Sequence, residues 1–202
     1  MRKSLLAALF VLVCASPALA RFIYVPAQYP TIQAAMTAAV SGDVVEVAAG
    51  VYSDVTHPCS PSDTTKTVVV MKSGVTLRGQ GRNVTIIDAL QLGRGIYCEG
   101  VTNAFIEGMT IRNAFAATYG AGIYVYNGSA VTIRSVEVKQ SYDGGIIVRT
   151  NCTPTIQDCW ITGNSAKEGG GLAIVEGSNG TVTGCWIIGN QAPSGGGVFI
   201  RA

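Results

Sequence analysis

The chain has 202 residues, of which 48% are apolar and only 13% charged, with 25 glycines and a formal net charge of +2. That length allows one domain with a substantial core, and so small a charge points to neither nucleic acid nor an anionic membrane surface as a partner. Few charges and many glycines suit a fold of frequent tight turns and little exposed helix.

Arg2 and Lys3 make a basic start, Leu5 to Ala15 form a short apolar run, and Pro17 interrupts it before Ala18-Leu19-Ala20, a small-x-small cleavage site. Residues 1–20 are therefore expected to be a signal peptide cleaved after Ala20, leaving a protein that is secreted or held at the cell surface. The apolar run is too short to span a bilayer, and no later segment is longer, so no membrane span is expected. Export would permit disulfides among Cys59, Cys98, Cys152, Cys159 and Cys185. Five is an odd number, so at least one thiol stays free or pairs with another chain.

The mature chain, residues 21–202, reads as one domain. Its first element is a short amphipathic helix from Tyr29 to Met36, with Ile32, Ala35, Met36 and Ala39 on one face and Gly42 marking its end. A strand at Val44–Val47, a turn at Ala49-Gly50 and a strand around Val75-Thr76-Leu77 follow. A helix laid over the first turn of a strand stack would bury apolar surface and protect an open strand edge. Between these strands, Ser53 to Thr65 is a Pro- and Ser-rich excursion carrying His57, the lone histidine, which reads as solvated.

From Gly95 onward one unit recurs. Gly95-Ile-Tyr-Cys, Gly122-Ile-Tyr-Val, Gly145-Ile-Ile-Val, Gly171-Leu-Ala-Ile and Gly197-Val-Phe-Ile stand 27, 23, 26 and 26 residues apart. A second block, beginning at Ile106, Ile133, Ile156 and Val182, keeps the same register. Strand alternation puts Ile96/Cys98, Ile123/Val125, Ile146/Val148, Leu172/Ile174 and Val198/Ile200 on one face, and all are apolar. The second block is apolar at its first, fourth and sixth positions. That step of three needs a bend, and Gly108, Ser135, Asp158 and Gly184 are the turn-tolerant residues there. One such unit cannot bury its own interior, so units must stack at about 4.8 Å. The period is too long for hexapeptide repeats and the leucine consensus of leucine-rich repeats is missing. The expected fold is all-β, a parallel β-helix of three-strand rungs.

The segments YPTIQAAMTAAVSGDVVEVAAGVY, GVTLRGQGRNVTIID and ITGNSAKEGGGLAI resemble bacterial right-handed parallel β-helix proteins of the pectin-lyase-like superfamily, over about residues 22–202. The resemblance implies a right-handed solenoid. Activity varies across that superfamily, from pectate lyases and polygalacturonases to surface proteins. The Trp-x-x-x-Asn and Gly-Gly-Gly patterns are also similar to repeats in bacterial adhesins. Arg201-Ala202 falls partway through a rung with no cap sequence, so further rungs or a partner are expected at that end.

Opposite the core, the Gly-Ile-Tyr-Val strands carry Tyr97, Glu99, Tyr124, Tyr126 and Arg149 on neighbouring rungs. Aromatic faces stack on sugars and the charged neighbours can orient hydroxyls or uronate carboxylates, so these five are the candidate substrate-binding residues. Trp160 and Trp186 hold equivalent outward positions and are expected to stack as a ladder covered by a loop. Asn164 and Asn190 are expected to form a hydrogen-bonded ladder along the solenoid, with Asn113 near the matching bend. Cys159 and Cys185 project inward one rung apart, as a buried thiol pair.

Uronate lyases need a base and a cation at the sugar carboxylate, and glycosidases need paired acids across a groove. No adjacent outward acids occur: Glu99 has no acidic neighbour and Asp143 stands isolated in a turn. No catalytic residue can be assigned, and no cofactor or metal site is expected. The expected function is an exported module that binds a polysaccharide or cell-surface glycan, or mediates adhesion. The alternatives are a lyase or hydrolase whose catalytic residues lie beyond residue 202, and a structural stalk.

Overall fold

The computed structural model describes residues 20–117 and 119–201. The expected signal peptide, save Ala20, lies outside them. The chain opens with β1 (Phe22–Val25), α1 (Ile32–Ala38), β2 (Val44–Val47), β3 (Gly50–Tyr52), β4 (His57–Pro58) and β5 (Lys66–Val70). Rungs of three strands follow, the first being β6 (Thr76–Gly79), β7 (Thr85–Asp88) and β8 (Arg94–Glu99). Next come β9 (Thr102–Glu107), β10 (Thr110–Arg112) and β11 (Ile123–Tyr126), then β12 (Ala130–Arg134), β13 (Glu137–Lys139) and β14 (Ile146–Arg149). The last two rungs are β15 (Thr155–Gln157), β16 (Trp160–Thr162) and β17 (Leu172–Val175), then β18 (Thr181–Thr183), β19 (Trp186–Ile188) and β20 (Val198–Arg201).

Each rung gives one strand to each of three sheets. The first sheet runs β1-β2-β6-β9-β12-β15-β18, the second β3-β7-β10-β13-β16-β19 and the third β4-β5-β8-β11-β14-β17-β20. Every pairing is parallel except β4 with β5, which is antiparallel. Register is the decisive observation. Ile96, Ile123, Ile146, Leu172 and Val198 are successive partners in the third sheet, and Leu77, Ile106, Ile133, Ile156 and Val182 in the first. In the second sheet Ile87, Ile111, Val138, Ile161 and Ile187 do the same. Up to Leu172 these columns are fully buried, so every aliphatic side chain touches the one above and the one below. In the last described rung Val182, Val198 and Ile200 are exposed, since no strand lies over them.

The bends behave as expected. Gly108, Ser135, Asp158 and Gly184 all have φ between 52° and 68°, the left-handed region that turns the chain from the first sheet into the second. Gly95, Gly122, Gly145 and Gly171, at the third-sheet strands, have a different reason. Gly145 has no left-handed φ, but a Cβ there would lie 2.6 Å from the Gly171 carbonyl oxygen and 2.8 Å from Asn164 Nδ2. Rungs simply pass too close for a side chain. Gly145→Ala is expected to destabilise the fold by about 1–3 kcal/mol through overpacking, read from the denaturant midpoint. An unchanged midpoint would show that the column has room.

α1 closes the N-terminal end. Thr31 caps it, its hydroxyl accepting from the Ala34 N–H, and Ile32, Ala35 and Met36 are buried against the first rungs. The helix stops at Ala38, short of Gly42, whose φ of 95° belongs to the next turn. Gln33 reaches from the helix to accept the Val70 N–H of β5, and Lys72 Nζ donates to the Thr37 and Ala39 carbonyls. A helix over the first rung thus satisfies strand-edge groups that water would otherwise serve.

Asn164 and Asn190 form the expected ladder. Asn164 Oδ1 accepts the Ser141 N–H, while its Nδ2 donates to the Val138 carbonyl and to Asn190 Oδ1. Asn190 repeats the pattern one rung on, donating to the Ile161 carbonyl. Asn113 is not a member. It has a φ of 55° at the bend itself and donates to the buried Asp88 carboxylate, and Ala114 occupies the ladder position. All five cysteines of the described residues are free. Cys159 and Cys185 point inward, each thiol donating to a backbone carbonyl two residues before it, and burial pushes Cys159 up to about 12. Cys152, though in a turn, is fully buried in the core, and Cys59 is buried beneath its own excursion.

Candidate functional site

The outer faces of the three sheets differ in what they leave unsatisfied. On the first, Glu46, Arg78, Glu107 and Arg134 are successive register partners and pair as a continuous ladder: Glu46–Arg78 at 2.9 Å, Arg78–Glu107 at 2.5 Å, then Glu107–Arg134. Burial pushes the Glu107 carboxyl up, but hydrogen bonds from Arg134 and Arg78 outweigh it and hold the group below the ordinary carboxylate range. A depressed folded value means that the stabilisation is fully present above the unfolded value and is lost as pH falls through the folded one. Unfolding titrations should therefore show stability declining below about pH 4, and Glu107→Gln should flatten that decline; an equally steep slope in the variant would clear Glu107 of the effect.

On the second sheet Trp160 and Trp186 are register partners at the equivalent positions expected, but among the described residues their rings do not stack. The Arg82 guanidinium sits 3.2 Å over the Trp160 ring, whereas Trp186 is 58% exposed. The covering loop thus reaches only the first of the two.

The third sheet carries the candidate site. Its outward positions run in two rows: Tyr97, Tyr124, Ile147, Ala173 and Phe199, then Glu99, Tyr126, Arg149, Val175 and Arg201. The neighbours read from sequence are therefore brought together in register. Tyr97 Oη donates to Glu99, the Tyr97 and Tyr124 rings stack at 5.8 Å, and Tyr124 stacks on Tyr126 at 5.7 Å.

An open aromatic platform at Tyr97 and Tyr124 is nevertheless corrected by the structure. Tyr97 is 1% and Tyr124 4% exposed, so neither offers a ring face to a ligand. They belong to a second apolar cluster with Cys59, Ala121, Ile147 and Ala173, roofed by the excursion before β5 and by the connection from β10 to β11. Two large apolar side chains on adjacent rungs make a patch that gains by being covered. Arg94 holds the roof down. Itself 2% exposed, it donates to Cys59 Sγ at 2.9 Å, Asp63 Oδ2 at 2.6 Å and the Tyr119 carbonyl at 3.0 Å, with its guanidinium 4.6 Å from the Tyr124 ring centroid. Burial dominates at Cys59, pushing the thiol up to about 11 despite the nearby guanidinium.

Beyond the roof the face opens into a groove of about 620 Å³. Ile147, Ala173, Val175 and Phe199 make an apolar floor, with Arg149 and Arg201 beside it. Asp143, Lys167 and Glu168 line one wall, from the connections between second and third sheets, and Glu176 stands on the opposite side. Arg149 pairs with Glu176 and lies 3.8 Å over the Tyr119 ring, and its Nε is buried without a partner among the described residues. The Arg149 hydrogen bond holds Glu176 below the ordinary carboxylate range. Arg201 meets Glu168 at 3.5 Å.

Asp143, isolated in the sequence, thus shares a groove with two further acids and three cations. Lys167, Glu168, Glu176, Phe199 and Arg201 complete the site without having been singled out as binding residues. Phe199 and Arg201 were legible as later members of the same two rows. The acids and Lys167 were not, because turns carry no periodicity. Among the described residues no three His, Cys, Asp or Glu side chains converge as metal ligands, and no helix is long and apolar enough to cross a membrane.

The family model for the right handed beta helix region matches residues 67–202. No curated protein and no solved structure matches the chain.

Proposed function

The chain belongs to the right-handed β-helix family, and from that premise we propose that it is an exported or surface-held module that binds a polysaccharide along the third-sheet groove. One observation carries the reading: a groove with an apolar floor and an ionic rim that spans three stacked rungs. Pyranose rings bury apolar faces while presenting hydroxyls and carboxylates at their edges. Floor and rim match that division, with Phe199 as the stacking surface and Arg149 and Arg201 as the polar partners. The basic, apolar and small-x-small order of residues 2–20 supports export.

A glycan array followed by calorimetry tests this. Phe199→Ala is expected to weaken binding about tenfold, the loss of one stacking contact, with folding unchanged because Phe199 lies on the outer face. An array without a hit, or a variant that binds as tightly as the parent, would overturn the proposal.

The carboxylates of Asp143, Glu168 and Glu176, sharing the groove with Arg149 and Arg201, favour a second reading, a polysaccharide lyase or hydrolase acting there. Incubation with the bound polymer separates the two: new reducing ends or unsaturated-product absorbance would mark an enzyme, and an unchanged polymer a binding module.

A further inference from the structure

A bare outer face of the third sheet would let a long polymer lie across it at any point along its length. The face is not bare. Tyr119 stands across it, its ring parallel to Tyr124 within 7° at 6.3 Å and beneath the Arg149 guanidinium at 3.8 Å. Behind Tyr119 the roof is anchored by Arg94, which is tied to Asp63 and to the Tyr119 carbonyl. The groove begins at this wall and runs only one way, over Ala173 and Val175 towards Phe199 and Arg201.

We infer that the groove receives a polysaccharide by its end, with the terminal sugar against Tyr119 and Arg149 and the rest of the chain leaving over Phe199. This rests on the polysaccharide reading and adds the mode of binding. A chain passing onward would have to occupy the space that the roof fills above Tyr124 and Tyr97, which are 4% and 1% exposed. Tyr119 is then the specificity-determining residue. Itself 46% exposed, it can be shortened without opening the core.

The test is the number of binding sites per polymer as a function of polymer length. The probes are size-fractionated polygalacturonate and, as the uncharged counterpart, cellulose-derived oligosaccharides. Capture by the end predicts one protein per chain at every length, with an affinity per chain that does not grow. Tyr119→Gly combined with Arg94→Met removes the wall and frees the roof behind it, so the double variant is expected to bind along the chain, its sites per polymer rising several-fold with length. Sites that multiply with length in the unaltered protein would overturn capture by the end while leaving polysaccharide binding intact. A folded double variant that still binds one per chain would overturn the role of Tyr119 and the roof as the wall. Binding of neither series would remove the polysaccharide reading and this inference together.

Discussion

Asn164→Ala is expected to destabilise the protein by about 2–5 kcal/mol, because it leaves buried backbone groups unsatisfied. Asn164 is 1% exposed, and its amide serves the Ser141 N–H and the Val138 carbonyl, each at 3.0 Å. Both backbone groups lie where the chain turns from the second sheet to the third, and an alanine would leave them without partners and without water. The amide also contacts Asn190 Oδ1, which already accepts the Asn164 N–H, so the loss passes to the next rung. Urea unfolding of Asn164→Ala beside Asn113→Ala makes the comparison. Asn113 donates to the Asp88 carboxylate and holds a φ of 55°, so its loss should cost about 1–2 kcal/mol, less than the loss of Asn164. Equal midpoints for the two variants would show that the ladder carries no special weight.

Arg94→Met is expected to act differently, loosening the roof before the solenoid. Truncating one member of a buried ion pair costs about 3–5 kcal/mol when the other charge stays buried. Asp63 is 29% exposed and can recover water, which puts the effect near the lower bound. The Tyr119 carbonyl and the Cys59 thiol lose their donor as well. The consequence should be local: protease cleavage within Ser53–Thr65 and alkylation of Cys59, which is 4% exposed in the intact protein, while the rungs from β9 onward stay resistant. Peptide mapping after limited proteolysis would show it. A variant as resistant as its parent, with Cys59 still unreactive, would mean that apolar packing of Tyr97 and Tyr124 holds the roof without the guanidinium.

The relation between the two variants follows from how the fold is stabilised. Asn164 sits inside the stack, where each rung is the solvent boundary of the next, so a defect there spreads along the axis. Arg94 sits outside it, in a satellite cluster over one sheet. Solenoids divide in this way because contacts are made only with neighbouring rungs.

The same division decides what could be read from residues alone. Aliphatic columns, left-handed bends and the asparagine ladder repeat with the rung. Two-residue strand alternation and a spacing of 23 to 27 residues place them on the inside whatever the loops do, so the sequence by itself determined a parallel β-helix and its core-facing side chains. The outer face obeys the same alternation, which is why Tyr97, Glu99, Tyr124, Tyr126 and Arg149 do stand in register. Whether such a side chain meets solvent or a roof depends on where the non-repeating segments fold. Ser53–Thr65 and the β10–β11 connection carry no period, and a buried tyrosine has the same letter as an exposed one. Only the tertiary structure decided that Tyr97 and Tyr124 are covered, that Asp143, Glu168 and Glu176 share a groove, and that the groove ends at Tyr119. Strand stacking is a local rule repeated along an axis. Roofing is a set of non-repeating long-range contacts whose free energy is set by the surface they happen to bury.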